Sequence, residues 1–237
     1  MMLSDRLALI ANQINQGETM ADIGTDHGFL PIHLWETEKC PKVIMADISE
    51  QSLQKAMDNC TERYPEQDFD FRLGNGIDVL ANGEVENVVI AGMGGILITD
   101  ILGWDLVKSH SINKYILQPR THTGVLRRWL ANNGFSIVRE LLVRESKFIW
   151  EILVVTNRTE NSSTSVPTSD EEFDYPDSLL TFRGPLTAEF LQNRLAIETG
   201  ILQTIVEHSK NAETASISCQ KKIKRIEHLL SELEKLK

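Results

Sequence analysis

Ala21-Asp22-Ile23-Gly24-Thr25-Asp26-His27-Gly28 decides the fold. A short buried-strand pattern runs into two glycines, and an amphipathic stretch follows, so the segment reads as a strand handing over to a helix. A second apolar run, Val43-Ile44-Met45-Ala46, ends on another acid, Asp47. A glycine turn that lets the backbone approach a ligand, followed one strand later by a carboxylate, is how open α/β sheets hold an adenosine ribose.

Working outward, short apolar runs alternate with amphipathic stretches from Leu3 to about Thr156. The spacing predicts strands at Thr19–Ile23, Lys42–Asp47, Asp70–Leu73, Asn87–Ala91, Lys114–Gln118, Phe135–Leu142 and Ile149–Thr156. Helical patterns lie between them, for instance over Ser49–Cys60 and Gly94–Ser109. Such alternation gives βαβ units and a parallel sheet. The segment Val143–Phe148 is too short for a crossover helix, so the last two strands form an antiparallel hairpin at one edge.

Asn157 to Asp177 is rich in Ser, Thr, Glu and Asp, and reads as a linker or mobile loop. Helical periodicity then returns, with one stripe of Leu191, Leu195, Glu198, Leu202 and Ile205. A heptad-like seam follows at Ile223, Ile226, Leu230 and Leu233. The expected organisation is an α/β domain over residues 1–157, a linker over 158–185 and a coiled-coil-like helical hairpin over 186–237.

The chain has 237 residues, 41% hydrophobic and 24% charged, with a formal charge of −10. That length holds a full α/β core and a smaller module. No apolar run reaches the eighteen or so residues of a membrane span. The N-terminal stretch reads as a first helix, without a signal peptide's basic start and cleavage site. Cys40, Cys60 and Cys219 form neither metal-ligand spacing nor a disulfide framework, which suits a reducing cytoplasm and no bound metal. The sequons at Asn157 and Asn161 carry no meaning there. The acidic balance excludes a protein that coats DNA without regard to sequence, yet leaves room for a local basic surface on folded RNA.

The nicotinamide fingerprint is G-x-G-x-x-G, whereas this chain reads G-x-D-x-G from Gly24. An aspartate at that place sets negative charge where a pyrophosphate would sit on a helix N-terminus. It suits a cofactor bearing an ammonium and a sulfonium, and so favours S-adenosylmethionine over a dinucleotide. Three further turns belong to the same rim: Gly74-Asn75-Gly76, Gly92-Met93-Gly94-Gly95 and Gln118-Pro119-Arg120. The Asn75 amide can meet an adenine edge, and the glycines permit close approach to the main chain. Taken singly, each is also an ordinary cap or turn.

Asp22-Ile23-Gly24-Thr25-Asp26-His27, Gly92-Met93-Gly94-Gly95 and Leu117-Gln118-Pro119 together resemble the bacterial tRNA (adenine-22-N1)-methyltransferases. The resemblance continues through Arg128-Trp129-Leu130, Trp150-Glu151-Ile152 and Gly184-Pro185-Leu186, and so covers nearly the whole chain. It implies a class I (Rossmann-like) methyltransferase sheet, a C-terminal helical module, and methyl transfer from S-adenosylmethionine to N1 of a D-arm adenine of tRNA. Asp22, Gly24, Thr25, Asp26, His27 and Gly28 would line the methionine end of the cofactor. Asp47 and Ile48 would meet the ribose region, and Asn75 with Gly76 the adenine. Gly92, Met93, Gly94 and Gly95 stand where amine-methylating relatives carry Asn or Asp followed by Pro-Pro.

Adenine N1 has a free lone pair, so the reaction needs alignment more than a base. Asp26 is the first candidate to accept a hydrogen bond from the adenine N6, with a main-chain carbonyl near Met93 as the second, and His27 as an orienting group. Lys221, Lys222, Lys224 and Arg225 form one basic cluster expected to meet RNA phosphates, and Arg127 with Arg128 another. The solvated face of an ordinary helix explains such clusters equally well. The rival readings are a methyltransferase of small molecules or proteins, and an interaction protein that retains a cofactor pocket.

Overall fold

The computed structural model describes residues 2–158, 167–208 and 213–236. The sequon at Asn161 and positions 159–166 of the expected linker lie outside the described residues. In chain order the elements are α1 (Asp5–Ala11), β1 (Met20–Ile23), α2 (Phe29–Glu36), β2 (Val43–Asp47), α3 (Glu50–Arg63), β3 (Asp70–Leu73) and β4 (Asn87–Gly94). Then come α4 (Gly95–Gly103), α5 (Leu106–Ser111), β5 (Lys114–Thr121), α6 (Thr123–Asn132), β6 (Phe135–Glu145) and β7 (Phe148–Asn157). The chain continues through α7 (Asp170–Asp174), α8 (Ser178–Thr181), α9 (Thr187–His208) and α10 (Glu213–Lys235).

Seven strands form one sheet in the order β3-β2-β1-β4-β5-β7-β6. The pairs from β3 to β5 are parallel, and β7 runs antiparallel to both β5 and β6. The expected strands are all present, and so is the edge hairpin. The stretch Gly94–Ser109, expected as one helix, is two: Asp105 caps a new start by accepting from Lys108 N at 3.0 Å.

Strand residues alternate between two cores, as the pleat requires. On one face Ala21, Ile23, Val88, Ile90 and Leu117 pack under Ile98 and Leu102 of α4 and Leu126 and Leu130 of α6. On the other, Met20, Met45, Val89 and Ile116 meet Ile10 of α1, Leu30 and Ile32 of α2, and Ala56 and Cys60 of α3. The sheet is therefore covered on both sides, which is why its central strands are apolar along their whole length.

A third cluster joins Ile149 of β7 to Tyr175, Leu179, Phe190, Leu191, Ile226 and Leu229. It seats α9 and α10 against the outer end of the sheet. Cys219 Sγ donates to the Glu198 carbonyl at 3.0 Å between the two helices. Leu229, outside the expected seam, is fully buried, and Ile223 of that seam is only half-buried.

The expectation that Asn157–Asp177 is a linker or mobile loop is corrected for its described C-terminal part, from residue 167. Ser169 and Glu172 make a reciprocal capping box that starts α7, and Phe173 and Tyr175 are buried. The polar composition hid two large aromatic anchors. No helix among the described residues is long and apolar enough to cross a membrane.

Candidate active site

From β1 the chain crosses to β2 on one side, and the later β4 pairs on the other. The sheet order reverses there, so the carboxyl ends of β1 and β4 open a crevice between diverging connections. A cleft of about 660 Å³ occupies it, lined among others by Asp22, Gly24, Asp26, His27, Asp47 and Met93. That volume matches pockets that enclose small ligands, roughly 300–1,000 Å³.

Gly24 N and Thr25 N both donate to the Ala46 carbonyl, at 2.8 and 3.1 Å, which folds the β1 turn onto the end of β2. Gly24 has φ +84°, and a Cβ there would run into the Met93 methyl group. The left-handed turn is what calls for glycine; the Met93 methyl is the far end of a flexible side chain that can move aside. Asp22, one residue before the end of β1, and Asp47, the last of β2, lie on adjacent strands. Burial pushes the Asp22 carboxyl up to about 6; the Thr25 hydroxyl works against this, Asp47's charge adds to it, and Arg6 opposes it. Asp47 Oδ1 accepts from Ser49 N at 2.7 Å.

Asp26 stands at the cleft mouth, its Oδ1 bound by Lys55 Nζ of α3 at 2.8 Å. His27 Nε2 lies 3.3 Å from the other oxygen. The hydrogen bond from Lys55 holds the Asp26 carboxyl below the usual range against a smaller opposing effect of burial, with His27 contributing. The His27 ring stacks on Phe29 at 5.1 Å, and Asn59 Nδ2 donates to the His27 carbonyl at 3.0 Å.

The glycine run at the end of β4 is a strand irregularity. The β4–β5 register shifts between Ala91 and Met93 and again before Gly94, as a bulge requires. Gly92, at φ +80°, has nothing within 4 Å of where a Cβ would stand, so bare backbone faces open space. Its N–H donates to Gln118 Oε1 at 3.1 Å. The same oxygen accepts from Arg6 Nη1 at 3.2 Å, and Arg6 Nε donates to Glu145 Oε2 at 3.0 Å. Gly95 serves packing: a Cβ there would lie 2.5 Å from the His122 carbonyl oxygen and 2.8 Å from that of Thr121.

The cleft thus gathers Asp22, Gly24, Asp26, His27, Gly28, Asp47, Gly92 and Met93. Thr25 is buried behind it, and Gly94 and Gly95 lie at the β4–α4 junction. Ile48 is 71% exposed. Asn75 and Gly76 follow β3, whose Leu73 is in register with Asp47, so they stand beside the same rim without lining the cleft. Arg6, Lys55 and Glu145 were not legible as site residues. Gln118 carried a signal, being a polar residue ending the apolar run Tyr115-Ile116-Leu117, and it is only 1% exposed.

Of the expected RNA contacts, Arg127 is corrected by its burial, and three others are found in ion pairs. Arg127 is 3% exposed and sits between Glu140 and Glu151, at 3.1 and 2.5 Å, with no surface to offer a phosphate. Arg128 pairs with Asp170 and lies over the Phe173 ring. Lys222 pairs with Asp174 at 2.7 Å, and Arg225 with Asp177 at 2.7 Å and the Tyr175 carbonyl at 2.8 Å, so both tie α10 to the segment around α7. Lys221 and Lys224 are exposed.

A family model described as a methyltransferase domain matches residues 3–153. The tRNA (adenine(22)-N(1))-methyltransferase of Bacillus subtilis (strain 168) is 33% identical over 152 residues, which is 64% of this chain and 64% of that enzyme. The match therefore spans a little under two thirds of the relative's length. A putative tRNA (m1A22) methyltransferase of Streptococcus pneumoniae is 30% identical with a TM-score of 0.84, covering 97% of this chain and 100% of its own. The same protein solved in complex with S-adenosyl-L-methionine has a TM-score of 0.82 at 29% identity, over 97% of this chain and 100% of that one.

Proposed function

Because this chain belongs to the methyltransferase-domain family, and within it to the bacterial tRNA (adenine-22-N1)-methyltransferases, we propose that it methylates N1 of a D-arm adenine of tRNA. The observation that carries the reading is the cleft at the sheet's switch point, where Asp22, Asp26 and Asp47 surround a bulged glycine strand end. A carboxylate-lined cleft with bare backbone at Gly92 fits an adenosine cofactor with cationic groups and repels a diphosphate. S-adenosylmethionine, when bound, supplies an electrophilic sulfonium methyl group.

The residues of this chain divide the work. Asp47 would hold the ribose hydroxyls, with Ile48, Asn75 and Gly76 about the adenine. Asp22 and the Gly24–Gly28 turn would hold the methionine end. The substrate adenine N1 carries its own lone pair, so no residue has to remove a proton before attack. Asp26, kept ionised by Lys55, is an acceptor at neutral pH for the substrate N6–H, and its charge stabilises the cationic methylated base. His27 orients the Asp26 carboxylate. Alignment of this kind contributes up to roughly 7–11 kcal/mol to the barrier reduction.

N1 lies on the Watson–Crick edge, so the adenine must be unpaired or extruded, at a cost of a few kcal/mol. Recognition must supply that energy from contacts elsewhere on the tRNA. Lys221 and Lys224 on α10 are exposed cations suited to phosphates.

The test is incubation of the protein with labelled S-adenosylmethionine and unmodified tRNA, followed by nucleoside analysis. 1-Methyladenosine that disappears when the D-arm adenine is replaced supports donor, substrate and atom together. Cofactor binding without transfer to tRNA refutes the substrate.

A further inference from the structure

Beside the cleft mouth, the end of β5 and the start of β7 carry a patch that the proposed reaction leaves unassigned. Arg120 lines the cleft and lies over the Trp150 ring, 5.9 Å from its centroid. Trp150 abuts Phe148 at 5.3 Å between ring centroids, and Lys147 Nζ lies 5.3 Å from the Phe148 centroid. The four side chains form a line from the cleft to the tip of the β6–β7 hairpin. Phe148, at the start of β7, is 50% exposed. Trp150 and Ile152 fall on the α1–α3 face of the sheet, opposite the helical module that packs on Ile149.

The electrostatics of this patch run against those of the whole chain, whose charge is −10. Glu145, the last residue of β6, is already neutralised by Arg6 at 3.0 Å. Neither Arg120 nor Lys147 makes an ion pair among the described residues. A single exposed aromatic residue needs no explanation. Here an exposed ring, a second ring behind it and two unpaired cations adjoin an acidic cleft, which is the composition that stacks nucleobases and meets phosphates.

We propose that Arg120, Trp150, Phe148 and Lys147 form the RNA platform of this site. A nucleobase neighbouring the extruded adenine stacks on Phe148, and Arg120 and Lys147 meet the flanking phosphates. Trp150 acts as a positioning residue, holding Phe148 and Arg120 in line. The inference rests on the tRNA reading above and adds where the RNA lies.

The experiment compares the wild-type chain with Phe148→Ala, Phe148→Leu, Phe148→Trp and Lys147→Ala, measuring tRNA Kd, tRNA KM, kcat and cofactor Kd. Phe148→Ala should raise tRNA Kd and KM about tenfold, as loss of one base–aromatic stack does, with cofactor Kd unchanged. Phe148→Leu keeps an apolar side chain without a π-face and should fail likewise, while Phe148→Trp restores binding. Lys147→Ala should lower the slope of log Kd against log salt by nearly one. Wild-type tRNA affinity in folded Phe148→Leu overturns the platform, as does an equal loss of cofactor binding. A wild-type chain that transfers nothing to tRNA instead overturns the substrate reading, so the two failures are distinct.

Discussion

The side-chain oxygen of Gln118 accepts the Gly92 N–H at 3.1 Å, so β5 fixes the bulge at the end of β4 from the side. That oxygen also receives Arg6 Nη1 at 3.2 Å, and the Gln118 amide donates to the Pro119 carbonyl at 3.1 Å. One buried side chain thereby joins the N-terminal helix, the cleft wall and the neighbouring strand. The left-handed backbone at Gly92 persists because its donor is satisfied there.

Gln118→Leu should leave two donors, Gly92 N–H and Arg6, without their acceptor. Stranding a buried polar group costs about 1–3 kcal/mol. The expected result is a lower melting temperature together with weaker cofactor binding by calorimetry, since the bulge forms the cleft wall. Gln118→Glu keeps the acceptor and pairs with Arg6, and should retain most of the affinity. Unchanged cofactor affinity in Gln118→Leu would show that the bulge holds its shape without this contact.

Asp22 makes the cleft pH-sensitive. Its folded pKa, about 6, lies above the ordinary 3.8 because of burial, so the folded state binds the proton more tightly than the unfolded one. Its contribution to stability is present in full below about pH 4 and is lost as pH rises through about 6. A cationic ligand favours the ionised form, so S-adenosylmethionine Kd should fall as pH rises through the same range and then level off. Asp22→Asn should flatten that part of the profile. A wild-type Kd constant between pH 5 and 7 would remove Asp22 from the cofactor contacts.

Asp47→Ala and Asp26→Ala should separate binding from turnover. Asp47 ends β2 inside the cleft, and its loss should weaken cofactor Kd by tenfold or more, as losing charged hydrogen bonds does. Asp26 lies at the mouth on Lys55. Its loss should lower kcat on tRNA more than it changes cofactor Kd. Equal effects of both variants on cofactor Kd would take Asp26 off the catalytic list.

Arg127→Met tests the correction to the RNA surface. The guanidinium is enclosed by Glu140 and Glu151, and removing it leaves buried Glu140 without its cation and Glu151 with only Arg194, at 3.7 Å. Breaking such a pair costs about 3–5 kcal/mol. Thermal unfolding should show that loss, while the folded fraction keeps its tRNA affinity. A large loss of affinity at unchanged melting temperature would return Arg127 to the RNA surface.

The fold was largely legible because it depends on local pattern. Strand runs of buried residues separated by amphipathic helices admit few arrangements, and a stretch as short as Val143–Phe148, most of which is itself strand, leaves room only for a hairpin. The acidic and glycine positions of the cleft were legible for a related reason. Gly24 and Gly92 take left-handed backbone conformations that other residues rarely adopt, so sequence type reports geometry directly.

Charge was not legible in the same way. Arg127, Arg128, Lys222 and Arg225 look like a nucleic-acid surface along the chain, yet each finds an acidic partner distant in sequence. Of the aromatics set in a polar stretch, Tyr175 buries against helices that begin later and Phe173 lies under Arg128 of α6. Gln118 and Arg6 meet across 112 positions.

The sequence by itself determined the sheet, its glycine turns and the carboxylates at its rim, since those follow from backbone conformation and periodicity within a few residues. Only the tertiary structure decided which charges are neutralised, which face solvent, and which side chains complete the cleft. Ion pairing and burial are properties of neighbours in space, and a chain that folds across itself chooses those neighbours from its whole length.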